Sequence, residues 1–337
     1  MINQHMNRRK SAAVLLFLIV ILAANYIRTR SEITPDMPDL PTRIEPWTNA
    51  YGGADKSHDT ALLKLRHEIA PRFQVFTFDD SATGRKMTYN LFVPKDYDPA
   101  KRYPLVLFMA DASTVGKGTI APLMQGYGGI IWATDESQAE HPCIVLVPAY
   151  DGPEAATNDR YEVTDEVAVT YRLLRSVVSH YAVDTTRIYA TGQSMGGMIT
   201  FYLNVHYPDL FAASLYVGTH WNFDELKPVI PRQRFFYIAS EADKAAPVME
   251  RMESFFQEDH IPYAATRFAA NQPDAEKERL VQALIAEGRA INLVRFTQGS
   301  MLPPGCDPNS KGGDHMYSFD YAYRLQAVRN WLFAQQK

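Results

Sequence analysis

The stretch "RIYATGQSMGGMITFYL", residues 187 to 203, decides the fold, because in it an apolar run ends at a serine flanked by glycines. Gly192, Ser194 and Gly196 have the spacing G-x-S-x-G. The run before the serine is typical of a strand, and "GMITFYLNVHY" after it is typical of a helix. A strand, a sharp turn and an immediate helix would hold the serine Oγ above the edge of a sheet. We therefore predict that Ser194 is a nucleophile; the alternative is that it only caps the helix.

Short apolar runs alternate with helical patterns on both sides of this stretch. Strands are predicted over 72–78, 87–93, 104–110, 143–149, 187–192, 213–218, 234–240 and 291–297, and helices over 160–181, 197–206, 245–260, 274–287 and 318–335. The first two strands form a hairpin pattern with Gly84 at its turn. Continuous apolar strands separated by helices indicate a sheet that is covered on both faces. We predict an α/β fold with a mostly parallel central sheet of about eight strands.

The N-terminal residues differ from the rest of the chain in charge and hydropathy. "MNRRK" is basic and "SAAVLLFLIVILAA" after it is apolar, which is the pattern of a targeting segment. Residues 1–27 are predicted to be a signal peptide or a membrane anchor; the apolar run is short for a span, but no clear cleavage site follows it. Residues 28–57, rich in proline, are predicted to be a linker, and 58–337 the folded domain. The protein is expected to be exported, either secreted or anchored to the outer face of the membrane.

Composition excludes several classes of partner. The net charge is −4, with 34 basic and 38 acidic residues, so no strong field would attract nucleic acid. Cys143 and Cys306 are expected at opposite strand ends of a parallel sheet, too far apart for a disulfide. No metal-ligand spacing, phosphate loop or dinucleotide motif is present in the sequence, and no cofactor is expected.

A serine nucleophile needs a base to take its proton and an acid to orient that base. In this architecture both follow the serine, first the acid and then a histidine, on loops after later strands. His315, in "NSKGGDHMYSFDYAY", is predicted to be the base, in a loop between the last strand and the last helix. His206 and His260 are predicted to be structural or solvated. His220, in "GTHWN", is predicted to line the pocket.

The acid is predicted in "RFFYIASEADKAAP", where a strand ends at Ser240. Asp243 is preferred because it lies a turn beyond the strand end, from which its side chain could reach a later loop. Glu241 is the alternative.

Three segments resemble a known family: "YNLFVPKDYDPAKRYPLVLFM", "DTTRIYATGQSMGGMITFYLNVHYPDLFAASLYVG" and "GGDHMYSFDYAYRLQAVRNWLF". They are similar to serine esterases and peptidases of the α/β-hydrolase fold, in the exported group related to prolyl oligopeptidase catalytic domains, polyhydroxybutyrate depolymerases and feruloyl esterases. The resemblance covers residues 72–335. It implies that 58–337 is a catalytic domain with Ser194 as nucleophile, Asp243 as the orienting acid and His315 as the base.

An oxyanion hole should complete such a site. One donor is predicted to be the backbone N–H of Met195, and the other an N–H of the loop after strand 104–110. We predict Ala112 as the second donor, with Asp111 or Ser113 as alternatives. The family usually carries His-Gly where this chain has "AD" at 110 and 111. A carboxylate beside an oxyanion is unfavourable, so the Asp111 side chain is expected to turn away and cap its own loop.

Pocket walls are expected from loops at the carboxyl ends of the strands. Tyr150, His220 and Trp221 are predicted to bind substrate, with Trp132 and Tyr317 as further aromatic candidates. We predict a serine hydrolase that cleaves a small acyl or aryl ester, hydroxycinnamoyl-like, free or linked to a polysaccharide. One alternative is a prolyl oligopeptidase-like peptidase, but that class carries a propeller domain for which these residues leave no room. The other is a non-catalytic, surface-anchored binding module.

Overall fold

The computed structural model describes residues 44–307 and 311–337 of the chain. In these residues one sheet contains the strands β1 Gln74–Asp80, β2 Arg85–Phe92, β3 Tyr103–Met109, β4 Ile144–Pro148, β5 Val183–Gln193, β6 Ala213–Val217, β7 Phe235–Ser240, β8 Ala264–Phe268 and β9 Ile291–Phe296. The helices are α1 Thr60–Ile69, α2 Ala121–Met124, α3 Tyr127–Ile130, α4 Asp135–Glu140, α5 Asp165–His180, α6 Met195–His206, α7 Phe223–Leu226, α8 Ala246–Glu258, α9 Asp274–Ala286, α10 Lys311–Arg324 and α11 Gln326–Phe333.

The strand order is β1-β2-β4-β3-β5-β6-β7-β9-β8. β1 and β2 form the predicted hairpin, and β2 pairs antiparallel with β4, whereas all later pairs are parallel. Gly84 in the hairpin turn has a φ of 70°, which glycine adopts without strain. The predicted α/β fold with a mostly parallel sheet is confirmed.

The sequence prediction missed one strand, β8. This strand lies at the edge of the sheet beside β9, and only its end residues Ala264 and Phe268 are buried. An edge strand packs few apolar side chains, so "AATRF" lacks the continuous apolar run that marked the central strands.

Successive residues of the central strands face opposite sides of the sheet. In β3, Leu107 belongs to a buried cluster that includes Leu173 of α5, whereas Phe108 belongs to another that includes Leu332 of α11. Helices therefore cover both faces, as predicted. The carboxyl ends of the parallel strands meet at one edge of this covered sheet, where polar side chains can project without disturbing the core.

The predicted linker, 28–57, is described from residue 44 onward, and this part lies against the domain. Arg66 of α1 donates hydrogen bonds to the carbonyl oxygens of Glu45 and Pro46, at 3.0 and 3.1 Å. The side chain of Lys56 is only 1% exposed and pairs with Asp320 at 2.7 Å. Residues 44–57 thus contribute packing and buried charge to the domain, which their proline-rich composition did not indicate.

The predicted targeting segment, residues 1–27, lies outside the described residues, so export stays a prediction. In the described ranges, no helix has the length and apolar character needed to cross a membrane. Cys143 is a buried free thiol directly before β4, and burial raises its pKa to about 12. Cys306, after β9, is a free and exposed thiol.

Candidate active site

Ser194 lies where β5 ends and α6 begins. Its φ of 50° and ψ of −117° are values that side-chain-bearing residues rarely adopt. Its N–H donates to the carbonyl of Val217 in β6 at 3.0 Å, which holds this turn against the sheet. A side chain on Gly192 would overlap the backbone of Gly196, and one on Gly196 would overlap the Met109 carbonyl of β3. The glycine spacing is therefore required for α6 to start directly at the sheet edge, as the sequence predicted.

The structure brings Ser194, His315 and Asp243 together. The Nε2 of His315 lies 2.9 Å from the Ser194 Oγ, and its Nδ1 lies 2.7 Å from the Asp243 Oδ2. With the ring proton on Nδ1 donated to Asp243, Nε2 can accept the serine hydroxyl proton. This is the arrangement needed to activate a serine.

Asp243 and His315 are held by their surroundings. The Asp243 side chain is fully buried, and its Oδ1 accepts the backbone N–H of Ala245 at 2.9 Å. Phe319 packs edge-on against the His315 ring, with centroids 4.9 Å apart. A Cβ on Gly218 would lie 2.7 Å from the Phe319 ring and 3.2 Å from Asp243. Close packing thus fixes the carboxylate and the imidazole relative to each other.

His315 lies within α10, and not in the loop where the sequence predicted it. "KGGD" suggested a loop because of its glycines, but the helix already begins at Lys311. Asp314, the residue before His315, is buried, and both of its carboxylate oxygens accept the Gly299 N–H at 3.0 Å. Burial raises the pKa of Asp314, while this hydrogen bond and one from Ser240 partly offset the effect. Asp314 thus anchors the start of α10 beside the ends of β7 and β9.

The alternative acid and two of the other histidines lie elsewhere. Glu241 pairs with Arg267 and accepts the N–H of Gln298 at 3.3 Å. His206 is exposed at the end of α6, where its Nδ1 lies 2.9 Å from the Tyr202 carbonyl. His260 is exposed after α8. Glu241 and His206 have other hydrogen-bond partners and His260 is exposed to solvent. The geometry therefore favours Asp243 and His315.

His220 belongs to a polar group beside the three residues. Its Nε2 lies 3.5 Å from the Asp159 Oδ1, and Lys244 donates to the Asp159 Oδ2 at 2.6 Å. Burial lowers the pKa of His220, although the charges of Asp159 and Asp243 partly oppose this. Tyr161 packs edge-on against the His220 ring, with centroids 6.0 Å apart. His220 is thus partly buried among polar and aromatic side chains, and its role in lining a pocket stays a prediction.

Tyr150 and Trp221, which the sequence predicts to bind substrate, are almost entirely buried. Tyr150 is 2% exposed, and its hydroxyl is 3.1 Å from the Thr170 Oγ1. Trp221 is 1% exposed and donates its indole N–H to Glu225 at 2.9 Å. Their polar atoms find partners inside the fold, so the rings pack in the core. Trp132 is buried in the same way, whereas Tyr317, the remaining aromatic candidate, is partly exposed.

The loop after β3 lies beside Ser194, because Gly196 packs against the carbonyls of Met109 and Ala110. Asp111 caps the short turn Ala112–Thr114 and accepts the Ser113 N–H at 2.8 Å, which confirms that its side chain turns into its own loop. The Ser113 N–H is therefore occupied. The N–H of Met195 is the first of α6 and has no acceptor within the helix. Met195 and Ala112 as oxyanion donors stay predictions, with Asp111 as the alternative to Ala112.

A buried polar network under this loop escaped the sequence prediction. Besides the Ser113 N–H, the 2% exposed Asp111 accepts hydrogen bonds from the side-chain amides of Gln125 and Gln193. Gln193 also donates to the Gln125 Oε1 at 2.8 Å, and Gln125 donates to the Ser113 Oγ at 3.0 Å. Gln193 directly precedes Ser194, so these bonds connect the loop after β3 with the turn that carries the serine. These residues are far apart in the sequence, and they meet only in the folded chain.

A groove of about 310 Å³ lies away from this site, at the opposite end of β5, and residues such as Tyr171, Arg175 and Tyr207 line it. Within residues 44–307 and 311–337, no group of three or more His, Cys, Asp or Glu side chains is placed to hold a metal ion.

Comparison with known proteins finds one matching family and several structures of similar fold. The family described as "Putative esterase" matches residues 81–223, a range that includes Ser194. A thermostable esterase of known structure is 25% identical with a TM-score of 0.61, and the alignment covers 80% of this chain and 64% of that one. This chain thus spans less than two thirds of that esterase. No curated protein matches the sequence.

Two more distant structures share the fold. A ferulic acid esterase is 13% identical with a TM-score of 0.50, over 77% of this chain and 97% of that one. A fluorophosphonate-binding serine hydrolase of Staphylococcus aureus is also 13% identical with a TM-score of 0.50, over 78% of this chain and 98% of that one.

The fold is that of the α/β-hydrolases, as the sequence resemblance implied. Within that class, both the matching family model and the thermostable esterase are described as esterases.

Proposed function

We propose that this protein hydrolyses carboxylic esters through an acyl-enzyme on Ser194, with His315 as general base and Asp243 as the acid that orients it. The observation that carries the proposal is the position of the His315 ring, which lies within hydrogen-bond distance of both the Ser194 Oγ and the buried Asp243 carboxylate. The matching family and the thermostable esterase support the same reaction class.

The acylation step follows from this geometry. As the Ser194 Oγ attacks the ester carbonyl carbon, its proton passes to Nε2 of His315, and the carbonyl oxygen becomes an oxyanion. The N–H groups of Met195 and of Ala112 or Asp111 stabilise that charge. The imidazolium is stabilised by Asp243 and gives its proton to the leaving alcohol as the C–O bond breaks. The products are the acyl-serine and the free alcohol.

Deacylation repeats these roles with water. His315 takes a proton from a water molecule, and the resulting nucleophile attacks the acyl carbon. A second oxyanion forms in the same hole and collapses, Ser194 recovers its proton from His315, and the carboxylic acid leaves. The buried carboxylate of Asp243 holds the imidazole in one tautomer through both steps.

The proposed substrate is an ester with a small acyl or aryl group, as the sequence suggested. The support comes from an aromatic side chain that remains partly exposed: Tyr161 packs at 5.5 Å against the buried Trp221 and also touches His220. His220, Asp159 and Lys244 add hydrogen-bonding groups next to these rings. Aromatic faces beside polar groups suit a phenolic ring.

A comparison of ester and amide substrates tests the reaction class. We expect kcat/KM for a short aryl ester to exceed that for a matched proline-containing peptide amide by more than the intrinsic lability of the ester explains. The physical reason is that a peptidase must bind chain on both sides of the scissile bond, whereas the proposed ester needs room for only one small acyl or aryl group. The measurement is kcat/KM for both substrates, each divided by its uncatalysed rate constant. Efficient cleavage after proline with weak ester turnover would favour the peptidase alternative.

A further inference from the structure

Residues 49–58 form a strap against the loop after β3 and α10, and all but the last of them belong to the predicted linker. The strap begins with a short turn, Asn49–Tyr51, and ends two residues before α1, which starts at Thr60. Gly52 is buried and has a φ of 79°, and Gly53 has a φ of 85°. Two consecutive positive φ values turn the strap sharply toward the domain.

The strap contacts the loop after β3 at Ser113. Gly53 donates its N–H to the Ser113 Oγ at 2.8 Å. Gly52 lies so close to the Ser113 carbonyl that any side chain at position 52 would overlap it. Ser113 directly follows Ala112, so the strap presses against the segment whose N–H groups are proposed to stabilise the oxyanion.

The strap also reaches the buried network under this loop. The ammonium group of Lys56 donates to the Gln125 carbonyl at 3.0 Å. Gln125 in turn bonds Asp111, Ser113 and Gln193, the residue before Ser194. The strap is thus connected to both sides of the proposed oxyanion hole through residues that are nearly all buried.

A third set of contacts joins the strap to α10, the helix that carries His315. Tyr317 donates its hydroxyl to the Asp55 carbonyl at 2.8 Å, and Lys56 pairs with Asp320 at 2.7 Å. The Lys56 side chain is 1% exposed and that of Asp320 is 12% exposed, so water screens this pair little. The same ten residues therefore touch the proposed oxyanion loop and the helix of the proposed base.

We infer that the strap, residues 49–58, is a positioning element for catalysis, which holds the 110–114 loop in register with Ser194 and α10. This inference rests on the proposed function. An oxyanion hole works only if its donors point to where the charge develops, and removal of one donor typically costs about 10²- to 10³-fold in rate. A displaced loop should therefore lower kcat more than it changes KM.

Gly52→Ala in the full chain tests the strap. The new methyl group would overlap the Ser113 carbonyl and displace the strap or the loop. We expect kcat for an aryl ester to fall by about 10-fold or more, with KM within about 2-fold. The inhibition constant of a trifluoromethyl ketone should rise in parallel, because its serine adduct also carries an oxyanion. A purely structural role of the strap would lower the melting temperature without this parallel change.

Gly84→Ala is the matched control. Gly84 has a similar φ of 70°, but a Cβ there meets nothing within 4 Å, so the variant carries the backbone strain without the overlap. Its kcat should equal that of the wild type. Ser113→Ala is the second test variant in case Gly52→Ala does not fold, because it removes only the acceptor of the Gly53 N–H and of the Gln125 amide. We expect the same pattern at about 3-fold or more.

Folded Gly52→Ala and Ser113→Ala variants with wild-type kcat would overturn the inference, as would a change in KM alone. Ser194→Ala is measured alongside them. If Ser194→Ala is inactive while the strap variants match the wild type, only the strap inference fails. If Ser194→Ala retains full activity, the proposed function fails and the inference fails with it.

Discussion

Replacing Ser194 by alanine should reduce ester hydrolysis by about 10⁶-fold, down to the residual rate that binding and the oxyanion hole alone provide. The reason is that alanine has no oxygen to attack the carbonyl carbon, so no acyl-enzyme can form. The fold should be unaffected, because the Ser194 Oγ contacts His315 at 2.9 Å at the site surface and alanine leaves the backbone turn unchanged. The measurement is kcat/KM for an aryl ester, with the melting temperature as a check on folding.

Ser179→Ala provides the matched control for this change. Ser179 is an exposed serine of α5 whose hydroxyl donates to the Ser176 carbonyl at 2.7 Å. The substitution Ser179→Ala removes the same atom from a site remote from His315, so the kcat/KM of this variant should remain that of the wild type. Equal activity of Ser194→Ala and the wild type would mean that another residue performs the reaction.

Asp243→Asn should lower kcat by about 10⁴-fold. Asparagine preserves the size of the side chain, but its amide group donates a hydrogen bond where the carboxylate accepts one at 2.7 Å from the His315 Nδ1. The imidazole would then favour the tautomer with the proton on Nε2, which cannot accept the proton of Ser194. The imidazolium formed during the reaction would also lose its negative partner.

Glu241→Gln is the control for Asp243→Asn, since it neutralises a carboxylate two residues away that pairs with Arg267. We expect kcat within about 2-fold of the wild type, because Glu241 faces Arg267 and Gln298 and its loss affects only a partly exposed ion pair. The reverse result, with full activity in Asp243→Asn and a large loss in Glu241→Gln, would assign the orienting role to Glu241.

The turn at Ser194 could be predicted from sequence because its requirements are local. Gly192 and Gly196 are needed where two backbone segments approach closely, and a strand and a helix must flank the serine directly. The central strands could also be predicted from sequence, since each is buried on both faces and therefore appears as a continuous apolar run. Chain order then selected Asp243 and His315 as candidates, and the structure brings both to Ser194, although it places the histidine in a helix.

Other parts of the site depend on contacts between distant residues and could not be read from the sequence. Tyr150 follows a strand as a pocket residue would, but its hydroxyl reaches Thr170 of α5 and its ring enters the core. The proline-rich segment before residue 58 looked like a linker because nothing local shows that Lys56 meets Asp320, 264 positions later. An edge strand such as β8 has too little buried surface to leave an apolar pattern.

Covalent labelling can show whether Ser194 is the nucleophile, as proposed. The full chain is treated with a fluorophosphonate, which reacts with an activated serine hydroxyl by displacement of fluoride, and the modified peptide is identified by mass spectrometry. We expect one phosphonyl group on the peptide that contains Ser194, and no labelling of Ser194→Ala. Labelling at a different serine, or undiminished labelling of Ser194→Ala, would contradict it.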